Sequence, residues 1–313
     1  MKQRIFVYEY LSGGGPMAGA ELLTMGRAMR DAIASDLLRL EDYDVTVATC
    51  TLASPVPAPA RPALPRDGES AFDFVAREAD AHHLVWVVAP ETDGALAQFQ
   101  RSVEPRRWLG CDGPAIRLTT GKRITLLRLA DAGIATPLAF EHAPEITRWV
   151  VKPDDGAGAV ATRLHPSAEA AWDDWAMRSR AGGPMAIEPW IDGAALSLSL
   201  LCSAGRTELL SVNRQRLSID DDGRLSFRGV ELNVLPPGDP RAAVLNALAQ
   251  RVARSIAGLR GFVGIDLVWH AQRGPVVIEV NPRVTCAYVG LSHALGRNLA
   301  TEVIAACGRT VPQ

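Results

Sequence analysis

Gly264-Ile265-Asp266-Leu267, and thirteen residues beyond Asp266 the run Ile278-Glu279-Val280-Asn281-Pro282-Arg283, decide how this chain of 313 residues is read. Apolar residues bracket each polar one, the pattern of strands with one covered face. Glu279 and Asn281 stand two apart, so on a strand both side chains leave the same face. Asp266 on a neighbouring strand can join them. Two carboxylates and an amide oxygen are hard ligands suited to Mg²⁺, an ion that commonly also takes phosphate oxygens. The competing reading is strand-end acids facing water. The apolar flanks and the Asn-Pro-Arg tail argue against it, because grouped buried acids are costly without a cation.

Working outward, Val150-Val151-Lys152-Pro153 reads as a strand end, followed by the loop Asp154 to Gly158. A lysine beside a glycine loop, here Gly156 and Gly158, is a device for nucleotide phosphates, since backbone N–H groups can approach the anion closely. The Walker pattern is absent. Of 33 Lys and Arg residues, only Lys2, Lys122 and Lys152 are lysines, so each one draws attention. Lys122 sits in Thr119-Thr120-Gly121-Lys122; the alternative for it is a solvated helix lysine. In Ile187-Glu188-Pro189-Trp190-Ile191-Asp192-Gly193, a strand that breaks at proline frees backbone groups for an adenine edge, or simply makes a turn.

The rest of the chain frames these pieces. In the first third, strands at Ile5 to Tyr8, Val45 to Ala48 and Leu84 to Val88 alternate with helices at about Ala18 to Leu40 and Ser70 to Ala79, which argues for a parallel sheet with covered faces. Ser54 to Arg66 holds five prolines and is expected to be a stiff surface loop. Beyond Pro114 the texture is α+β. One long helix is expected over Ile116 to Ala132, and others at Ala168 to Arg178, Asp239 to Leu259 and Leu291 to Cys307. Strands are expected at Met185 to Glu188, Leu196 to Cys202, Glu208 to Val212, Leu225 to Val230, Val263 to Trp269 and Val276 to Val280, with a turn at Asp220 to Gly223. The net charge of −2 and intermixed signs offer no basic field for nucleic acid. No apolar run is long enough for a membrane span. Five scattered cysteines without a CxxC suit reduced thiols in a cytoplasm.

Taken in order, these elements resemble the ATP-grasp superfamily of carboxylate–amine ligases, over about residues 114 to 308. The matching run also includes Leu129-Ala130-Asp131-Ala132-Gly133-Ile134-Ala135-Thr136-Pro137. The resemblance implies an ATP-grasp fold, α/β plus α+β, preceded by a parallel-sheet α/β domain. It divides the chain into residues 1–112, 113–190 with the glycine loop, and 191–313 with the metal site. It further implies that Lys122 and Lys152 contact ATP phosphates near Gly156 and Gly158. Glu188, Pro189, Trp190 and Ile191 would hold adenine, and Asp266, Glu279 and Asn281 would bind Mg²⁺, with Mn²⁺ as a substitute. Arg283, together with Lys152, would stabilise the phosphoryl group or the tetrahedral intermediate. Asn213, Arg214 and Gln215 lie where family members place phosphate or substrate contacts. The family's ribose-binding acid is replaced by Ala194 and Ala195, which leaves Asp192 as the substitute. Small-molecule substrates and a homodimer are the expected partners.

A narrower resemblance rests on Tyr8-Glu9-Tyr10, Ser12-Gly13-Gly14-Gly15, Asn213-Arg214-Gln215 and Asn281 to Gly290. These look like the tyramine–glutamate ligase branch of methanofuran synthesis and its relatives in methylotrophic bacteria. The activity implied is an ADP-forming ligase that joins a carboxylate, glutamate in that branch, to an amine through an acyl phosphate. Two rivals stand beside it: an ATP-grasp protein that binds nucleotide without reacting, and a ligase for other amino acid and amine pairs. A dinucleotide-binding oxidoreductase is disfavoured, because Gly13-Gly14-Gly15-Pro16 lacks the GxGxxG spacing.

Overall fold

A computed structural model describes residues 2–15, 20–156 and 158–309. The expected helix start at Ala18, Pro16 of the first glycine loop, and Ala157 of the second lie outside the described residues. The elements in chain order are β1 (Gln3–Glu9), α1 (Ala20–Leu38), β2 (Tyr43–Ala48), β3 (Arg61–Ala63), α2 (Ala71–Ala81), β4 (Leu84–Val88), α3 (Ala95–Ser102) and β5 (Trp108–Leu109). There follow α4 (Gly113–Thr120), α5 (Lys122–Asp131), β6 (Trp149–Pro153), β7 (Arg163–His165), α6 (Ala168–Ala181), β8 (Met185–Pro189), β9 (Ala194–Ser203), β10 (Arg206–Ile219) and β11 (Leu225–Glu231). The chain closes with α7 (Arg241–Ser255), β12 (Gly261–His270), β13 (Gly274–Asn281), α8 (Leu291–Leu295) and α9 (Leu299–Ala306).

Among the described residues the strands form three sheets. The first has the order β3-β2-β1-β4-β5, with every neighbouring pair parallel. Its pleat sends Ile5, Val7, Val45 and Val47 toward α1, where Ile33 and Leu37 meet them. Phe6, Tyr8, Val85 and Val87 go the other way, toward Phe74, Val75, Leu96 and Phe99 of α2 and α3. The fully apolar strand runs read in the sequence follow from this burial on both faces. The Pro-rich segment is not loop throughout. Arg61–Ala63 pairs with Thr46 to Ala48 as an edge strand, the place where a proline's missing donor costs least.

The second sheet, β11-β10-β9-β12-β13, is antiparallel, and the third, β7-β6-β8, is a small antiparallel layer. The Leu/Ser alternation of β9 is explained by its two environments. Leu196, Leu198 and Leu200 pack with Leu245, Leu248 and Val252 of α7, while Ser197 and Ser199 look to the opposite face.

Two expected single helices are each broken in the structure. The run from Ile116 to Ala132 divides at Gly121, which has extended backbone (φ −84°, ψ 113°), so Lys122 begins a new helix. The run from Leu291 to Cys307 divides at Gly296, whose φ of 63° closes α8 in the left-handed conformation. In both cases the apolar periodicity continues across the break; at Gly296 the left-handed backbone ends the helix, and at Gly121 the backbone is merely extended, with Asp154 holding the start of the next helix.

Gly193 sets the crossing from the small sheet to the large one. Its φ is +154°, and a Cβ there would stand 2.3 Å from the Trp269 carbonyl oxygen. Gly193→Ala is therefore expected to destabilise the protein by on the order of 2 kcal/mol. A urea melt checks this, and an unchanged midpoint would remove the argument.

Candidate functional site

The helix break at Gly121 turns Lys122 inward. As the first residue of α5 it is buried, and its Nζ lies 3.0 Å from Glu279 Oε1 and donates to the Gly156 carbonyl oxygen. Asp154 holds the same turn from the glycine-loop side. Its carbonyl accepts from Lys122 N at 2.9 Å, and its carboxylate accepts from Arg123 N at 2.9 Å, satisfying donors that a helix start leaves unpaired. Burial opposes the Lys122 charge, but the attraction and hydrogen bond of Glu279 outweigh it, so the ammonium holds its proton more tightly than an ordinary lysine.

Lys152 on β6 and Glu188 on the neighbouring β8 form a second buried pair, Nζ to Oε1 2.5 Å, with side-chain exposures of 7% and 4%. Arg283, just past β13, forms a third. Its Nε and Nη2 donate to the two oxygens of Glu91 at 2.9 and 2.8 Å.

The large sheet supplies the floor. Asn213, Ser197, Asp266 and Glu279 are directly paired positions on β10, β9, β12 and β13, so they form one row on one face. Asn281 is placed beside the row, and its Nδ2 lies 3.3 Å from Asp266 Oδ2. Asn281 pairs with Gly264, where any Cβ would stand 2.6 Å from Thr285 Cγ2, so glycine keeps this corner open. Burial, and then repulsion from Glu279, push the Asp266 carboxyl up to about 7.

One cavity of about 260 Å³ gathers these groups. Of the residues singled out in the sequence, Lys122, Lys152, Gly156, Gly158, Glu188, Pro189, Trp190, Ile191, Gln215, Asp266, Glu279, Asn281 and Arg283 all line it. Three do not. Asn213 is fully buried, with its amide bonded to Ser199 Oγ at 3.1 Å and to the Asn233 backbone at 3.2 Å. Arg214 faces away because alternate strand residues change face, and Gln215 has taken the cavity side; its nearest acid is Glu231 at 3.7 Å. Asp192 is 74% exposed and bonds Trp190 Nε1 at 3.0 Å, with Arg148 as its ion-pair partner.

Cys286 lines the cavity too, 3.9 Å from Met25 Sδ. Burial raises its thiol above the ordinary range, so it is a neutral wall residue. Glu9 of the Tyr-Glu-Tyr run is buried below the first glycine loop, where its carboxylate accepts from Ser12 N at 2.8 Å and from Leu11 N at 3.3 Å. The residue missed in the sequence is Glu91. Its only sequence signal was an acid just past a buried parallel strand, in the place where α/β sheets hold their ligands.

The raised Asp266 carboxyl gives a stability signature. Between the unfolded value near 4 and the folded value of about 7, the folded state binds more protons than the unfolded one, so stability falls as pH rises through that window. The melting midpoint of the free protein is expected to drop from pH 5 to pH 8, and Asp266→Asn to flatten part of that slope. Parallel curves for the two proteins would contradict the assignment.

Comparison with known proteins accords with this geometry. Residues 119–287, more than half of the chain, match the ATP-grasp domain family, and residues 43–116 match the pre ATP-grasp 3 domain. The tyramine–L-glutamate ligase of Methanocaldococcus jannaschii is 31% identical over 207 residues, a stretch that spans 66% of this chain and 57% of that protein. An ATP-grasp superfamily protein from Archaeoglobus fulgidus superposes with a TM-score of 0.71 at 21% identity, covering 100% of this chain and 90% of the other. The biotin carboxylase domain of the Hydrogenobacter thermophilus 2-oxoglutarate carboxylase, in complex with MgADP, ADP and bicarbonate, gives a TM-score of 0.70 at 14% identity, covering 100% and 71%. The chain belongs to the ATP-grasp family.

Proposed function

We propose that this protein is an ATP- and Mg²⁺-dependent ligase that joins a carboxylate to an amine and releases ADP. The observation behind the proposal is the meeting, in one cavity, of Lys122, Lys152 and Arg283 with Asp266, Glu279 and Asn281. The donor set of two carboxylates and an amide oxygen fits a hard divalent cation; when bound, that cation would neutralise charge on the triphosphate. Lys122 and Lys152 would exchange their glutamate partners for phosphate oxygens, and the backbone of Gly156 and Gly158 would close over the anion. Glu188 to Ile191 would hold the adenine edge. A substrate carboxylate oxygen attacks the γ-phosphorus and ADP leaves. The amine nitrogen then attacks the acyl carbon, loses a proton, and phosphate departs. Arg283 faces the charge that develops in both steps.

For the substrates we propose the γ-carboxylate of glutamate and an aryl-alkyl amine such as tyramine, in synthesis of a methanofuran-type cofactor. The named relative supports this. So does a neighbouring cavity of about 530 Å³, which shares the apolar side chains of Met25, Val160, Leu225 and Phe227 with the first, for an aryl ring, and is also lined by Asp174, which could meet an ammonium, and by Arg163, Arg178 and Arg224. The proposed setting is the cytoplasm. No helix among the described residues is long and apolar enough to cross a membrane. A homodimer is the proposed assembly, to be read by light scattering. The outward turn of Asp192 and the alanines at 194 and 195 favour one rival, a protein that binds nucleotide without reacting.

The test is ADP release with glutamate and tyramine together and with each omitted, with mass spectrometry of the product. Dependence on both substrates and a γ-glutamyl amide are expected. Nucleotide binding without amine-dependent ADP release would establish the rival instead. Lys152→Met should lower turnover by about 10²–10³-fold. Lys152→Arg should recover little of this, because the closed space beside Glu188 suits a compact ammonium rather than a planar fork. Near-normal turnover of the arginine variant would show that charge alone matters.

A further inference from the structure

The loop Pro90-Glu91-Thr92-Asp93-Gly94 leaves the end of β4 and touches two separate parts of the cavity wall. Glu91 is 2% exposed and grips Arg283 through both carboxylate oxygens. Immediately beyond it, Thr92 Oγ1 lies 3.3 Å from the Asp155 carbonyl oxygen and Asp93 N lies 2.8 Å from Asp155 Oδ2, and Asp155 belongs to the second glycine loop. Asp93 makes its bond from a left-handed backbone (φ 54°, ψ 22°), with Gly94 also at positive φ (68°). A non-glycine residue holds that conformation at a cost of about 1 kcal/mol or more, so other interactions must compensate.

The Arg283 donors show what the grip does. A guanidinium has five N–H groups. Nε–H and one Nη2–H go to Glu91, and one Nη1–H goes to the Val284 carbonyl oxygen at 3.3 Å. One N–H remains on each of Nη1 and Nη2, the two nitrogens whose shared edge meets a phosphate or carboxylate with two parallel hydrogen bonds. Arg283 lines the cavity, so docking its Nε/Nη2 edge on Glu91 leaves the Nη1/Nη2 edge for the reacting anion.

We propose that Glu91 is a positioning residue that orients Arg283 toward the acyl phosphate, and that Thr92 and Asp93 tie the glycine loop to the same support through Asp155. The loop thus sets the arginine and the phosphate loop in one frame. This rests on the ligase reading above, because it is the acyl phosphate that Arg283 is held to meet.

The experiment compares full-length wild type, Glu91→Gln, Glu91→Asp and Asp155→Ala for amine-dependent ADP release, ATP KM, ADP affinity by calorimetry, and melting midpoint. Glutamine keeps the shape of Glu91 but loses its charge and one acceptor. It is expected to lower kcat by about 10–100-fold, the usual loss when an outer partner of an active group is removed, with ATP KM and ADP affinity within about threefold of wild type. Glu91→Asp, which keeps the charge, should recover part of kcat. Asp155→Ala should raise ATP KM and leave kcat less affected. An active wild type with unchanged kcat in Glu91→Gln overturns the positioning role alone. So does a loss shared equally by kcat and ADP affinity, which would mark a purely structural contact. An inert wild type overturns the ligase reading and this inference with it. Should Glu91→Gln not fold, Glu91→Asp carries the decision: kcat reduced at constant ADP affinity supports the role, and wild-type kcat overturns it.

Discussion

Three buried or nearly buried cations share one cavity, and none can stand there alone. Removing one partner of a buried ion pair costs about 3–5 kcal/mol, because the other charge is left without water or counter-charge. Lys122, Lys152 and Arg283 therefore need Glu279, Glu188 and Glu91. Those acids come from β13, β8 and the loop after β4, so meeting the requirement draws all three sheets together. Lys122 adds a bond to the Gly156 carbonyl, which anchors the glycine loop of the small sheet against the large one. In the proposed ligase the same pairs are also a reserve of charge. A polyanion entering the cavity can take over the lysines, while the released carboxylate of Glu279 turns to a cation.

The acids themselves are placed by strand register. Asp266 faces Glu279 across β12 and β13, and Ser197 and Asn213 extend the row across β9 and β10. A slip of one residue in any of these strands would send its polar groups into the layer of Leu196, Leu198 and Leu200 that packs on α7. The apolar face thus fixes the register of the polar one, and Lys122 on Glu279 and Asn281 on Asp266 then hold the two carboxylates of the cavity floor.

Much of this was legible in the sequence. The Gly-Ile-Asp-Leu and Glu-x-Asn-Pro-Arg runs carried their strand pattern and their chemistry together, and the scarcity of lysine pointed at Lys122 and Lys152. What was not legible has identifiable causes. The periodicity of residues 116–132 runs through Gly121, and only the tertiary bonds of Asp154 to the next turn show why the helix stops there. In Asn213-Arg214-Gln215, residue type suggested three contacts, but strand alternation turns Arg214 to the opposite face, Asn213 is buried with its amide taken by Ser199 and the Asn233 backbone, and of the three Gln215 alone reaches the cavity. Asp192 had the chemistry for a ribose hydroxyl, and a local bond to Trp190 turns it outward. Glu91 left almost no signal, because its partner lies 192 residues away and no short pattern encodes such a pairing.

That last case follows from topology. In the order β3-β2-β1-β4-β5, α1 leaves β1 for one face of the sheet, while α3 after β4 packs on the other. The connections after β1 and β4 therefore diverge, and a crevice opens between them at the carboxyl ends of the strands, where doubly wound sheets take their ligands. Here the crevice holds no nucleotide fingerprint. Instead it sends Glu91, Thr92 and Asp93 outward to Arg283 and Asp155. The N-terminal sheet so contributes to the cavity through the stable end of a buried strand rather than through a long loop. Leu84 to Val88 are all buried and Glu91 is 2% exposed, so this support stands on packed structure, whereas the described residues 154–156 and 158 of the glycine loop it holds are half-buried or exposed.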